Sequence, residues 1–302
     1  MILRESFPLK RIWPGTYKRL LLLLAFDCAV AGCYVLLDWH WLSLDALPLA
    51  PLGSALAIFL AFRANAAYGR WWEARQLWGQ LVNTSRAIAR QALTAFDADP
   101  QEPRHIKLRD DLVLHQVAFV HALRCHLRRQ NPQPELVGLL GFERAEGLRL
   151  YGNVPNALTL RQAQLLHQAR ELGMIDSLRW SALDASLTTL ANIQGACERI
   201  KNTPLPRQFS TLPRVLIDAY CWLVPLGLVA GLGAVTPVAS ALISFTLIAI
   251  DSASGAIEDP FENTINDTPM TALSRGIELV LREMLDQRRP LPEVAAIDGF
   301  VY

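Results

Sequence analysis

The chain has 302 residues, 52% of them hydrophobic and 19% charged, with a mean hydropathy of +0.21. Soluble domains carry about a quarter charged residues, so this composition fits neither an ordinary soluble enzyme nor a disordered chain. A net charge of +1 argues against a nucleic-acid binder held by phosphate contacts, and five cysteines with no Cys-x-x-Cys exclude a disulfide scaffold.

The first 19 residues are basic and are assigned to a cytosolic N-terminal segment. Leu20 to Leu37 is an apolar run of 18 residues interrupted only by Asp27. Val30-Ala31-Gly32-Cys33 resembles a lipoprotein cleavage site, but the apolar run continues past Cys33, which favours a span over a cleaved leader. Ala46 to Phe62 is a second run, with no charge. Residues 70–202 carry helical spacing: Leu77, Leu81 and Ile88 share one face, as do Leu112, His115, Phe119 and Leu123. Leu178, Leu183, Leu187, Leu190, Ile193 and Ile200 suit a long packed helix. Val215 to Ile257 is 43 residues containing only Asp218 and Asp251 as charges, long enough for two crossings of a bilayer. Gly231, Gly233, Thr236 and Pro237 supply the turn between them, and Pro225 should kink the first.

The fold class is therefore all-α: a polytopic membrane protein with four transmembrane helices at about 20–38, 46–68, 214–233 and 237–256. The expected division is 1–19, 20–69 (helices 1 and 2), 70–213 (a cytosolic helical domain), 214–256 (helices 3 and 4) and 257–302 (a cytosolic segment, helix and tail). Five Lys or Arg precede Leu20, twenty lie between Arg63 and Arg214, and four follow Ile257, which accounts for all 29. The short loops Asp38–Asp45 and Gly231–Pro237 have none. That partition should place both termini and the central domain in the cytoplasm. The Trp39-His40-Trp41 cluster suits the outer interface.

Chemistry is sparse. Walker, His-Glu-x-x-His and Gly-x-Ser-x-Gly patterns are missing. His115, His121 and His126 are spaced by six and five, which does not gather them on one face as metal ligands. No catalytic residues, no cofactor and no resident metal are expected, and no enzyme activity. The expected partners are membrane lipid and permeant ions.

Three motifs carry a resemblance. Ala61-Phe-Arg-Ala-Asn-Ala-Ala-Tyr-Gly-Arg70-Trp71-Trp72-Glu-Ala-Arg75 ends the second run. Cys197-Glu-Arg-Ile-Lys-Asn-Thr-Pro-Leu-Pro206 leads back to the membrane. Ile257-Glu258-Asp259-Pro260-Phe261-Glu262-Asn263 follows the fourth helix. In this order, and over roughly 10–285, they resemble the bestrophin family in its bacterial branch. The resemblance implies a homopentamer around one central pore, with the second helices lining an apolar neck. The neck positions fall on Ser54, Ile58 and Phe62, and a cytosolic aperture on Leu178. It implies a passive channel, with chloride or another monovalent anion favoured and a monovalent cation such as sodium as the close alternative. Eukaryotic members bind calcium in an acidic clasp after Pro-Phe. Here Glu262-Asn263-Thr264-Ile265-Asn266-Asp267 stands in that place, so Asp259 and Asp267 are weak calcium candidates.

From the residues themselves, Ser54, Ile58 and Phe62 lie at i, i+4 and i+8 and share a face. Gly53, Ala57 and Ala61 form a small-residue stripe suited to helix packing. Arg63 either snorkels to the interface or pairs with Asp27 inside the membrane. A secondary transporter, which would call for inverted repeats and broken helices, and a membrane-anchored signalling protein are the alternatives to a channel.

Overall fold

A computed structural model describes residues 9–44 and 46–287. The tail expected over 287–302 lies, from residue 288 on, outside the described residues. Among the described residues ten α-helices follow one another: α1 (Leu9–Leu36), α2 (Leu49–Ala95), α3 (Pro103–Leu127), α4 (Gln133–Leu140), α5 (Phe142–Leu148), α6 (Val154–Glu171), α7 (Ser177–Asn202), α8 (Arg207–Leu232), α9 (Thr236–Ile257) and α10 (Met270–Met284). There is no strand among the described residues.

The chain divides into two compact units. The span unit holds the described residues up to Trp71 together with Pro204–Asp259, and the polar unit holds Trp72–Thr203 and the described residues from Pro260 on. Three stretches are long and apolar enough to cross a membrane: Thr16–Leu36, Leu49–Ala95 and Gln208–Ile257. The last is broken by a short 3₁₀ turn, Gly233–Val235, entered by Gly233 at φ 51°, so it contains two helices. At 1.5 Å per residue, α8 with 26 residues and α9 with 22 each match a hydrocarbon core of about 30 Å.

Four helices meet in the span unit through Leu23 of α1, Leu56 and Leu60 of α2, Ile217 and Cys221 of α8, and Ile248 of α9. At the other end of α1, Val35 lies beside Gly233, so α1 and α9 run antiparallel. Gly53 is where α8 crosses α2: a β-carbon there would sit 2.7 Å from the Tyr220 hydroxyl, which itself donates to the Leu49 carbonyl at 3.2 Å. Gly53 thus packs as its stripe suggests, whereas Ala57 and Ala61 are exposed in the protomer.

α2 is a single helix of 47 residues. The change of composition at 69/70 is a change in what surrounds the helix, not a break in it. No proline lies between Leu52 and Ala95, and Gly53, Gly69 and Gly79 each cost only about 1 kcal/mol relative to Ala.

In the polar unit α3 is central. Val117, Ala118, Phe119 and Val120 are four successive buried residues, the mark of a helix enclosed on all sides. Trp78, Leu81 and Ile88 of α2, Leu158 and Leu166 of α6, the stripe Leu183–Leu187–Leu190–Ile193–Ile200 of α7, and Ile277 and Leu281 of α10 complete the core. Leu178 departs from that stripe and is 80% exposed. It stands five residues before Leu183, about 140° round the helix, and it directly follows the first turn residue after the Asp176 cap.

The candidate pore helix and its charged base

The half of α2 in the span unit has two faces. Leu56, Leu60, Arg63 and Ala67 are buried against the other helices. Ser54, Ile58 and Phe62 are exposed, Ile58 at 57% and Phe62 at 63%. At 100° per residue the centres of these stripes lie about 170° apart. The Ser54 hydroxyl donates to the Ala50 carbonyl at 2.9 Å, so even the polar member of the outward face is satisfied within its own helix.

Arg63 does not pair with Asp27. It is 1% exposed and is held by Asp251 of α9 and, at 3.3 Å, by Glu258. Arg214 approaches the other Asp251 oxygen at 3.6 Å. The core register gives the reason for the correction. Leu23, Leu60 and Ile248 lie in one cluster, Arg63 and Asp251 are each one turn beyond it in one direction, and Asp27 is one turn beyond it in the other. Two turns of helix, about 11 Å, therefore separate the levels of Asp27 and Arg63. The partner was visible in sequence only as the second acid of the 43-residue run, and choosing it required the interhelical register.

Asp27 is fully buried, and neither carboxylate oxygen has a hydrogen-bond partner among the described residues. A polar stripe on α9 also escaped attention: Thr236, Ser240, Ser244, Asp251 and Ser254 are all buried. Spacings of four, four, seven and three were the available signal.

The Ile257–Asn263 motif is built into both units. Arg70 Nε donates to the Glu258 carbonyl at 3.0 Å, and its Nη2 lies 3.6 Å from the Asp259 carboxylate. Trp71 stacks on Tyr68, with ring centroids 6.0 Å apart, while Trp72 is 46% exposed. In the polar unit Phe261 is 1% exposed, and the Pro260 carbonyl accepts from the Thr268 amide at 3.1 Å. Asn263 takes the left-handed backbone that asparagine tolerates, at φ 69°. Both oxygens of Asp267 are occupied by the amide and hydroxyl of Thr264. Asp267 is thus spent on its own turn, while Asp259 is 59% exposed and meets Arg70 through one oxygen. No cluster of three or more potential metal ligands exists among the described residues.

The three histidines of α3 have separate partners. His115 Nδ1 meets the Asp111 carbonyl at 2.7 Å, and burial lowers its pKa. His121 Nε2 lies 3.0 Å from Glu278, and His126 lies 3.3 Å from Glu198. Burial alone would raise the Glu278 pKa, but hydrogen bonds and charge from His121, Arg282 and Arg275 outweigh it and bring the pKa down to about 2.

This arrangement of helices has known counterparts. The family described as bacterial and fungal bestrophin protein matches residues 6–283. The chain belongs to the bestrophin family. Among its bestrophin relatives, a voltage-dependent anion channel-forming protein of Ralstonia nicotianae is 35% identical over 292 residues, covering 94% of this chain and 92% of the relative. One of the same description from Salmonella typhi is 36% identical over 286 residues, covering 92% and 90%. The crystal structure of a bacterial bestrophin homologue from Klebsiella pneumoniae superposes with a TM-score of 0.84 at 32% identity, covering 90% of this chain and 99% of that one.

Proposed function

We propose that the protein is a passive ion channel of a bacterial inner membrane, a homopentamer in which five copies of α2 turn Ser54, Ile58 and Phe62 toward a shared axis. The observation that carries this reading is the pair of opposed faces on α2. One stripe is consumed by the protomer's own bundle, and the other presents isoleucine and phenylalanine outward. Five such faces make two stacked apolar rings, which hold back hydrated ions by dewetting. Ser54 stands one turn away as a wider, wetter ring. Arg63, directly after Phe62, is tied to Asp251 and Glu258 on the buried side. Its charge therefore serves the bundle rather than the pore, and apolar rings by themselves prefer neither sign of ion. The lean toward chloride rests on the relatives described as anion channel-forming. Asp267, whose two oxygens both serve Thr264, supports conduction without calcium gating.

The test is reversal potential in a planar bilayer. Replacing chloride by gluconate on one side is expected to move the reversal potential, and replacing sodium by N-methylglucamine to leave it in place. A shift with the cation alone overturns the anion preference. Flux that requires a coupled second ion overturns the channel and favours a transporter. Phe62→Ala should raise conductance or open time while assembly is kept. The same change at a packed phenylalanine costs about 3–5 kcal/mol and lowers yield. A Phe62→Ala protein that assembles and conducts like the parent removes Phe62 from the pathway.

A further inference from the structure

We propose that α1, α8 and α9 enclose a monovalent-cation site, with the Asp27 carboxylate as its charge and the Ser240 and Ser244 hydroxyls and the Cys221 carbonyl as its neutral oxygens. Five observations converge on it. Asp27 is completely buried, and both of its oxygens lack a partner among the described residues. Ser240 and Ser244 are buried to 0% and 1% exposure; the Ser240 hydroxyl lacks a partner, and the Ser244 hydroxyl has only the Cys221 thiol beside it. The helix register brings these groups to one place: Leu23 packs with Ile248, Val35 lies beside Gly233, and so Asp27 and Ala31 face Ser244 and Ser240 across the antiparallel pair. Cys221 sits in the same core cluster, beside Ser244 and within the field of Asp27. Finally, Pro225 lies inside α8 and has no amide hydrogen, which leaves the carbonyl four residues back, that of Cys221, without its helical donor.

The chemistry of this donor set is specific. A bare carboxylate in a membrane interior is strongly unfavourable unless it is neutralised. The nearby cations are committed elsewhere, Arg19 to Asp218 and Arg63 to Asp251. A proton on Asp27 would need an acceptor, and a serine hydroxyl within hydrogen-bond distance would provide one, yet neither Asp27 oxygen has such a neighbour. Oxygens that share a hard cation stand apart instead, because each is held at about 2.3–2.6 Å from the ion rather than hydrogen-bonded to the next. One carboxylate matches one positive charge, so a divalent ion would leave an uncompensated charge in the bundle. Discontinuities in helical backbone at midplane are where membrane proteins offer carbonyls to sodium.

The site is independent of the pore reading, and its test reads stability rather than current. The full-length protein in mild detergent at fixed pH and ionic strength is melted in sodium chloride and in N-methylglucamine chloride. Sodium at tenfold excess over its dissociation constant is expected to raise the melting temperature by about 2–4 °C. Asp27→Asn should abolish that rise. Ser240→Ala/Ser244→Ala, which keeps the carboxylate and tests the site if the asparagine variant folds poorly, should move the midpoint of the sodium dependence about tenfold upward. A parent that melts alike in both salts overturns the proposal, as does a shift that follows pH with no cation effect, which marks a protonated acid. A sodium shift that persists in Asp27→Asn, or an unmoved midpoint in the double variant, overturns it equally.

Discussion

In the polar unit, buried Gln116 donates to Ser85 at 2.8 Å and accepts from buried Gln162 at 2.8 Å, while Glu278 gathers His121, Arg275 and Arg282 around one carboxylate. In the span unit, Asp27 and Ser240 are buried as deeply, and their side-chain oxygens have no hydrogen-bond partner among the described residues. The outer surfaces differ in the same sense. Leu21, Leu22, Ile58 and Phe62 of the span unit are more than half exposed, as large apolar side chains in contact with lipid or another subunit would be. The polar unit surrounds its buried carboxylates with donors, Glu278 with His121, Arg275 and Arg282, and Asp267 with the amide and hydroxyl of Thr264. In the span unit Arg63 and Asp251 pair with each other, whereas the buried Asp27 carboxylate has no partner among the described residues.

One place in the span unit does close its charges as the polar unit does, and breaking it should have the largest effect. Arg63→Ala leaves Asp251 and Glu258 without their shared counter-charge, Asp251 at 6% side-chain exposure. Removing one member of a buried pair costs about 3–5 kcal/mol. Assembled protein should fall steeply, read as yield and melting temperature in mild detergent. Arg63→Leu/Asp251→Leu should recover part of the loss, since the more deeply buried of the two acids then carries no charge. If the single variant melts like the parent, the Arg63 cluster is not what holds α2 to α9.

The two faces of α2 were legible in sequence because hydrophobic spacing survives translation into packing. The long stripes of α3 and α7 were legible for the same reason. What could not be read was register between helices distant in the chain. Asp27 and Asp251 were equally available to Arg63 until Leu60 was placed beside Ile248. The serine stripe of α9 was hidden for another reason: serine barely changes the mean hydropathy of an apolar run, so its period of four is lost in the signal that identifies the span. Leu178 misled because any leucine adjoining a periodic stripe looks like part of it, although its phase differed.

A smaller effect, confined to the polar unit, separates the units by acid. The Glu278 pKa is lowered from 4.5 to about 2 on folding. A carboxylate with a depressed folded pKa contributes its full stabilisation above its unfolded pKa and loses it as the pH falls through the folded one. The window is therefore pH 4.5 down to about 2, and the contribution about 3 kcal/mol. Hydrogen exchange of α3 and α10 amides should rise across that window in the parent. In Glu278→Gln these helices should already exchange faster at pH 7, with a flatter dependence on acid. Parallel curves for the two proteins would show that another group governs the acid limb.

The smallest effect on stability is expected at Leu178, and its size makes it informative. The side chain is 80% exposed, whereas Leu183 five residues on is 1% exposed. Leu183→Ala should cost about 2–5 kcal/mol through a cavity in the polar unit, and Leu178→Ala less than about 0.5 kcal/mol if solvent is its neighbour. The resemblance assigns Leu178 to a cytosolic aperture, where five copies would ring the ion path. In that position Leu178→Ala should leave yield and melting temperature at parental values while changing single-channel conductance or ion preference. Parental currents with parental stability would leave Leu178 as an exposed surface residue and take it out of the path. A loss of stability as large as that of Leu183→Ala would mean that a neighbouring subunit packs over it, turning an aperture residue into an interface residue.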